Sequence, residues 1–331
     1  MEKKCIGIDV GGTTVKIGIF ETDGTLVYKW EVPSRKEENG AYILPDVAAS
    51  IRKKLNEQGI PMDAVIGAGM GFPGPVQPDG YVEVCVNLGW RDLNPQKILS
   101  ELLDGMPVRS GNDANVAALG EMWQGGAQWN NSAVMVTLGV GVGSGIVVDN
   151  KVFVGSTGAA GEIGHMCVNP KETERCTCGN YGCLEQYCSD TGLVHIAKMV
   201  LEELPEAPSM LREGEITPET ICQAAKKGDI AASEVMERFG QLMGQALTAV
   251  ACTVNPQVFV IGGQMAQAGM VILKPIETYF RRYAFHAFRN TPFVLAELGE
   301  DAGIYGSVRM LFDEVKLEEE PELEEKEELD L

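Results

Sequence analysis

The sequence predicts an α/β protein of two domains. Apolar runs typical of buried strands alternate with segments whose apolar residues recur at helical spacing, which is the pattern of the α/β class. One arrangement of strand, glycine-rich turn and strand occurs twice, in residues 5–27 and again in 133–154. Its recurrence indicates a duplicated fold whose halves face each other. A chain of 331 residues is also long enough to divide into two domains.

Turn residues and helix signals define the predicted elements. Each copy of the repeated arrangement continues into a third strand through a hairpin turn, Asp23-Gly24 in the first copy and Asp149-Asn150 in the second. Residues 205–217, which are rich in Pro, Ser, Glu and Gly, are predicted to form a loop. The other predicted elements are helices over 45–58, 112–123, 230–254 and 303–315 and a strand over 257–261.

The charge of the chain argues against nucleic acid as a partner. The formal net charge is −20, whereas binding to a phosphate backbone requires a basic surface. Residues 313–331 contain eleven acids and two lysines, a local charge of −9. We interpret this segment as a solvated acidic tail, disordered over 316–331, and keep a binding role as the alternative.

The sequence predicts a cytoplasmic protein with no membrane partner. No run approaches the roughly 20 apolar residues that a helix needs to cross a bilayer. The N-terminus leads directly into a predicted strand, without the features of a secretory signal.

Two glycine-rich turns, one in each copy, are candidate binding sites for the phosphates of a nucleotide. Glycine in such turns permits a positive φ and lets backbone N–H groups approach an anion closely. The first turn adds a carboxylate suited to water-mediated Mg²⁺ binding, two hydroxyls and a basic group; its candidate residues are Asp9, Gly11, Gly12, Thr13, Thr14 and Lys16. The second turn contributes Gly139, Gly141 and Gly143, and a further pair, Gly262 and Gly263, suits contact with adenosine. Neither turn is a Walker loop, and a plain hairpin is the alternative for either turn alone.

A cluster of cysteines and one histidine predicts a structural zinc site in a loop over 165–183. Three thiolates and one imidazole make a closed tetrahedral site, which orders a loop and leaves no position open for water. The predicted ligands are His165, Cys176, Cys178 and Cys183. Cys167 can be grouped with them or apart from them, and a set of free thiols is the alternative to a metal site.

Two carboxylates lie beside the predicted ligands. Glu162 precedes His165 by three residues, and Glu185 follows Cys183 by two. Carboxylates that accept hydrogen bonds from neighbouring hydroxyls are what a sugar site needs, and a zinc scaffold holds them in place. The alternative for each glutamate is a solvated charge.

Asp113 is the candidate catalytic base. Phosphoryl transfer to an alcohol requires a group that positions the hydroxyl and accepts its proton, usually an aspartate. Asp113 follows a strand-like run and opens the helix predicted over 112–123. Asn112 beside it is suited to hydrogen-bond a neighbouring hydroxyl. On spacing alone, a plain N-cap is an equal alternative for Asp113.

These motifs together resemble the ROK family (repressors, open reading frames, kinases), and within it the zinc-containing bacterial glucokinases. The resemblance covers about residues 4–311 and includes Asp9-x-Gly-Gly-Thr, Asn112-Asp113, Gly161-Glu-Ile-Gly-His165 and Cys176-x-Cys-Gly-x-x-Gly-Cys-Leu-Glu185. It implies an actin-like, hexokinase-like (ribonuclease H-like) fold with the active site in a cleft between two domains. It also implies that family members form homodimers or homotetramers.

The resemblance assigns roles to individual residues. It implies that Asp113 is the base, that ATP with Mg²⁺ is the donor, and that Thr13, Gly139 and Gly262 touch the nucleotide. It implies sugar contacts from Asn87, Asn112, Asp113, Glu162, His165 and Glu185, with His165 also a zinc ligand. The segment 71–75, which residue patterns alone indicate as a turn, resembles a family segment that lines the sugar pocket.

The expected activity is ATP-dependent phosphorylation of a hexose, with glucose converted to glucose 6-phosphate. The alternatives are a kinase for N-acetylmannosamine, N-acetylglucosamine, allose or fructose, and a sugar-sensing regulator without catalysis. No DNA-binding helix-turn-helix precedes Lys4, which disfavours the repressor branch. We expect residues 1–115 to form a small N-terminal α/β domain, joined by the closing helix at about 303–315, and residues 116–302 to form the large one.

Overall fold

The computed structural model describes residues 2–312, which contain two five-stranded sheets and a two-stranded ribbon. The acidic tail and the last three residues of the predicted closing helix lie outside this range. The strands are β1 Lys4–Val10, β2 Thr14–Glu21, β3 Leu26–Pro33, β4 Val65–Phe72, β5 Val82–Cys85, β6 Trp90–Leu93, β7 Val108–Asn112, β8 Ala133–Leu138, β9 Val142–Val148, β10 Lys151–Val152, β11 Val258–Gly262 and β12 Phe293–Leu295.

The two large sheets have the same topology. The first has the order β3-β2-β1-β4-β7 and the second β10-β9-β8-β11-β12. In each, three antiparallel strands are followed by two strands that run parallel to the central one. The duplication predicted from the two glycine turns is therefore confirmed, since each copy supplies the antiparallel half of one sheet.

Ten helices connect and cover the sheets within residues 2–312. They are α1 Glu37–Gly40, α2 Ile43–Glu57, α3 Pro95–Leu102, α4 Asp113–Gln124, α5 Glu185–Cys188, α6 Asp190–Glu203, α7 Pro218–Lys226, α8 Ile230–Val254, α9 Met270–Tyr283 and α10 Ala302–Leu311. None of these helices combines the length and the apolar character that a bilayer span requires.

Two helices, α4 and α10, pack tightly between the sheets. Helix α10 lies on β1 and β4 of the first sheet, while α4 also contacts β8 and β9 of the second. The contact between the two helices is close because Gly306 lies directly against the Val116 carbonyl, where a Cβ would collide with the backbone. The predicted domain boundary at 115/116 falls inside α4, and the division into domains stays a prediction.

Most predicted elements are confirmed, with small differences at their ends. The helix predicted over 230–254 has those bounds, and those predicted over 45–58 and 112–123 correspond to α2 and α4. Strand β11 begins one residue later than predicted. The predicted loop over 205–217 contains a short 3₁₀ turn at Met210–Arg212, which the Ser209 hydroxyl caps by accepting a hydrogen bond from the Leu211 N–H group.

Candidate active site

Two cavities meet at the N-terminus of α4. The small cavity has a volume of about 490 Å³ and contains the glutamates beside the predicted zinc loop. The large cavity, of about 960 Å³, lies against the ends of β1, β8 and β11. The residues that line both are Asp113, Ala114, Thr137, Gly143, Gly263 and Gln264. A group bound in one cavity can therefore reach a group bound in the other.

Asp113 is the one carboxylate that lines both cavities in the described part of the chain. It is the first residue of α4, and the cap of that helix is Asn112, whose Oδ1 accepts a hydrogen bond from the Asn115 N–H group at 3.2 Å. Burial raises the pKa of the Asp113 carboxyl above its usual value, and the hydrogen bond from the Ala114 N–H group opposes this. Because Asn112 is the N-cap of α4, the interpretation of Asp113 as a plain N-cap is wrong, and Asp113 lines both cavities.

Both the oxygen and the nitrogen of the Asn112 side-chain amide form hydrogen bonds. Besides capping α4, Asn112 donates a hydrogen bond from Nδ2 to the Gly74 carbonyl at 3.2 Å. Gly74, from the segment 71–75, adopts a left-handed φ of 95°. Gly74 and the exposed Asn87 both line the small cavity. The structure thus brings the turn after β4 to the residues predicted to contact sugar.

The four predicted zinc ligands converge on one point. Their ligand atoms all lie within 4.8 Å of one another in His165, Cys176, Cys178 and Cys183. The Sγ atoms of Cys178 and Cys183 are 3.7 Å apart, and the Cys176 Sγ lies 3.8 Å from Nδ1 of His165. A tetrahedral ion with zinc–sulfur bonds of about 2.3 Å requires edges of about 3.8 Å. The donor set therefore fits zinc, and Cys167 lies outside it.

The histidine and the two glutamates line the small cavity together. Because Nδ1 of His165 faces the thiols, Nε2 is the ring nitrogen left for a ligand. The carboxylate of Glu185 accepts a hydrogen bond from the Val142 N–H group at 3.1 Å through one oxygen and from the Thr177 hydroxyl at 3.3 Å through the other. Glu185 thus joins the zinc loop to the second glycine turn.

The first glycine turn differs in part from the prediction. Asp9, Gly11 and Lys16 line the large cavity, whereas Gly12, Thr13 and Thr14 lie outside its lining. Neither Gly11 nor Gly12 adopts the positive φ that glycine permits. Gly11 is required for another reason, because a Cβ there would lie 2.9 Å from the Thr14 carbonyl oxygen.

Lys16 is held by an acidic neighbour. Its Nζ pairs with the Glu300 carboxylate at 2.8 Å and donates to the Glu300 carbonyl at 3.2 Å. Lys16 also lies opposite Asp9 in the pairing of β1 and β2. A phosphate in the large cavity would compete with Glu300 for this cation.

The glycines of the second turn and the pair Gly262-Gly263 are divided between the two cavities, and their predicted contacts with the nucleotide stay a prediction. Gly139 and Gly141 line the small cavity, Gly143 lines both, and Gly262 lines the large one. Gly263 also lines both and has a φ of 85°. Here the left-handed backbone requires glycine, since a Cβ would collide with the backbone of Leu138.

Several polar lining residues escaped the sequence-based predictions, among them Gln264, Glu300 and Thr137. Gln264 lines both cavities immediately after Gly263, and Glu300 lines the large one. Thr137 pairs with Gly143 and Gly262 in the second sheet as Asp9 pairs with Lys16 and Gly71 in the first. The alignment of Asp9-Val-Gly with Thr137-Leu-Gly in the two copies is the signal that would have found Thr137.

Asp9 is a buried carboxylate with a second carboxylate, Asp113, nearby. Burial, and next the nearby Asp113, raise its pKa to about 6, while Lys16 acts in the opposite direction. A divalent cation at this carboxylate would relieve the repulsion between the two aspartates, so Asp9 fits a Mg²⁺ ligand.

Replacing Asp9 with asparagine is expected to stabilise the metal-free protein. A carboxyl with a raised pKa stabilises the fold at low pH, and this contribution is lost as the pH rises from about 4 through about 6. The D9N variant should therefore gain about 1–2 kcal/mol in unfolding free energy at neutral pH, and the gain should shrink as the pH falls to about 4. Denaturant titrations at both pH values measure it.

Asp23→Asn is the control for that experiment. The Thr25 N–H group holds the pKa of the exposed Asp23 carboxyl below its usual value, so removal of its charge should not stabilise the protein. A D9N variant that is no more stable than wild type at neutral pH would contradict the account of Asp9.

The family comparison explains this arrangement. The model of the ROK family matches residues 5–314. This chain belongs to the ROK family. A glucokinase of Halalkalibacterium halodurans is 39% identical over 306 residues, which cover 91% of this chain and 92% of the relative. A xylose repressor of Caldicellulosiruptor bescii is 28% identical over 316 residues, covering 94% of this chain and 78% of the repressor.

Solved structures give the same fold for this ROK protein. A ROK glucokinase of Streptomyces griseus, crystallised with glucose and AMPPNP, is 32% identical with a TM-score of 0.71 and covers 92% of this chain and 98% of its own. The actin-like, hexokinase-like fold and the family resemblance expected from the motifs are thereby confirmed. Because the ROK family contains proteins named as glucokinases and as repressors, membership alone does not define the activity.

Proposed function

We propose that this ROK protein is an ATP-dependent hexose kinase that converts glucose to glucose 6-phosphate. The observation that carries the proposal is the position of Asp113 where the two cavities meet. Sugar would occupy the small cavity and ATP the large one, so that the attacking hydroxyl and the γ-phosphoryl group come together beside Asp113. The 39% identity to a glucokinase supports the same activity and favours glucose as the substrate.

Asp113 would act as the general base. It accepts the proton of the sugar 6-hydroxyl as that oxygen bonds to the γ-phosphorus, and the bond from phosphorus to the bridging oxygen breaks to release ADP. The raised pKa of Asp113 improves it as a proton acceptor. Its position at the start of α4 favours the ionised form through the helix dipole.

Sugar recognition would belong to the small cavity. Glu162 and Glu185 would accept hydrogen bonds from vicinal sugar hydroxyls, and Nε2 of His165 would form another. Asn87 and Asn112 line the same cavity and would flank the sugar. Zinc held by His165 and the three cysteines would fix the loop that carries these groups. A sugar lacking a matching hydroxyl would leave a carboxylate unpaired, which is the basis of selection.

The nucleotide would lie along the large cavity. Adenosine would contact Gly262 and Gly263, and the phosphates would reach Gly11, Gly143 and Lys16. Mg²⁺ would be held at Asp9 and, when bound, would neutralise charge on the transferred phosphoryl group. Lys16 would exchange its contact with Glu300 for the phosphates.

A coupled assay of ADP release across a panel of sugars tests the proposal. We expect the highest kcat/KM for glucose among glucose, mannose, allose, fructose, N-acetylglucosamine and N-acetylmannosamine. A clear preference for an acetamido sugar, allose or fructose would make the protein a kinase of that sugar. Sugar binding without ADP release from any of them would contradict a kinase and favour a sugar-sensing regulator.

A further inference from the structure

Glu121 is a fully buried carboxylate that the proposed mechanism does not use. It lies on α4 about two turns after Asp113, and its exposure is 0%. Its Oε2 accepts hydrogen bonds from the N–H groups of Gly126 at 2.9 Å and Glu297 at 3.0 Å. Its Oε1 accepts one from the Leu298 N–H group at 2.9 Å.

All three donors are backbone groups, and two of them come from a segment far away in the chain. An ionised carboxylate only accepts hydrogen bonds, which matches three donors that converge on it. The turn after α4 is shaped for this group, since a Cβ at Gly125 would collide with the Glu121 carboxylate. An isosteric glutamine would turn an NH₂ group toward at least one of these donors, and no acceptor would replace the lost oxygen.

The distant segment forms one wall of the large cavity. Glu297 and Leu298 follow β12 and directly precede a 3₁₀ turn at Gly299–Asp301. Gly299 and Glu300 line the large cavity, and Glu300 holds Lys16. The position of this wall therefore depends on where Glu297 and Leu298 are anchored.

The start of α10 also depends on the hydrogen bonds of Glu121 to residues 297 and 298. Gly303 lies against Asp9, because a Cβ there would be 2.7 Å from the Asp9 Cγ. The 3₁₀ turn that leads into α10 is also tied to β3 by the ion pair of Asp301 with Lys29 at 2.8 Å. A shift of residues 297–301 would move both a wall of the cavity and the neighbour of Asp9.

We propose that Glu121 is a positioning residue for nucleotide binding. Its carboxylate fixes residues 297–301 on the helix that carries Asp113, so that one helix aligns the proposed base and the wall of the nucleotide cavity. The inference rests on the proposed function only in taking the large cavity as the nucleotide site. None of residues 297–301 lines the small cavity.

Calorimetric titrations of the full-length Glu121→Gln variant with ADP and, separately, with glucose test the role. We expect the Kd for ADP to rise about tenfold with the Kd for glucose unchanged. The matched control is Val200→Ala, which removes buried volume from α6 in a core cluster that includes none of residues 297–301. Denaturant titrations of both variants measure how much unfolding free energy each has lost, so that an effect of lower stability alone can be recognised.

Two outcomes of these titrations would overturn the role. The first is an unchanged Kd for ADP in E121Q. The second is an equal loss of affinity for ADP and for glucose in E121Q, together with the same loss in V200A at the same loss of stability. Wild-type protein that binds ADP and glucose but forms no sugar phosphate would instead refute the proposed kinase activity and leave the role of Glu121 standing.

A second variant keeps the test independent of the folding of E121Q. Leu298→Pro removes the N–H group that donates to Oε1 of Glu121 at a position whose φ of −76° suits proline. We expect it to weaken ADP binding selectively, whereas Leu298→Ala, which keeps the N–H group, should bind ADP as wild type does. Equal ADP binding by L298P and L298A would contradict the proposal.

Discussion

Replacing Asp113 with asparagine is expected to lower kcat by about 10³-fold. Asparagine keeps the size of the side chain and an oxygen for the hydrogen bond from the Ala114 N–H group at 2.8 Å, so the start of α4 should be preserved. What is lost is the proton acceptor where the two cavities meet. Asparagine can still hydrogen-bond the sugar 6-hydroxyl, and the other predicted glucose contacts belong to other residues, so the Kd for glucose should change little. Steady-state kinetics and calorimetric titration with glucose measure the two effects.

Asp190→Asn is the matched control for the base. Asp190 is likewise the first residue of a helix, α6, and burial raises the pKa of its carboxyl as well, but it lines neither cavity. The control should keep nearly full activity. If D113N also turned over at a near-normal rate, Asp113 would not be the base. Its role would then be structural, at the start of a helix, like that of Asp190.

Loss of a predicted zinc ligand is expected to weaken glucose binding strongly. In Cys183→Ser, the Kd for glucose should rise by about 10–100-fold, because the loop that carries His165 and the neighbouring Glu185 loses its fixed geometry. Nucleotide binding should be less affected, since no zinc ligand lines the large cavity. Metal analysis should find about one zinc per wild-type chain and a reduced content in the variant.

Cys167→Ser is the control for the metal site. Cys167 pairs with Cys183 in an isolated β-bridge but lies outside the group of converging ligand atoms. The control should therefore keep its zinc and its glucose affinity. Wild-type protein that is free of zinc and fully active would remove the scaffold role from this loop.

Local signals predicted the parts of the site that are close in sequence. The four predicted zinc ligands lie within one loop, and spacing alone indicated that they converge because a short glycine-containing loop can bring such side chains together. The strand-to-helix step at Asn112-Asp113 was also visible, although only the structure shows that Asn112 is the cap. The duplicated sheets were predictable because each hairpin turn acts locally.

Long-range contacts were not predictable from spacing. The pairing of Lys16 with Glu300 joins residues that are 284 positions apart, and nothing in the first glycine turn indicates that its lysine is already engaged. Glu121 gave no signal for a similar reason. Its partners are backbone N–H groups, which every segment has, so that only the fold determines which of them converge. The close approach of Gly11 to the Thr14 carbonyl was likewise not visible, since a glycine in a turn permits a positive φ as well as a close contact.

We propose that sugar and nucleotide occupy adjoining cavities whose junction is Asp113. A crystal structure of the ternary complex with glucose and a non-hydrolysable ATP analogue tests it most directly. We expect the sugar 6-hydroxyl to lie about 2.6–3.2 Å from the Asp113 carboxylate, with the γ-phosphoryl group on the side of the large cavity. Glucose bound away from the small cavity, or with its 6-hydroxyl directed away from Asp113, would contradict the account.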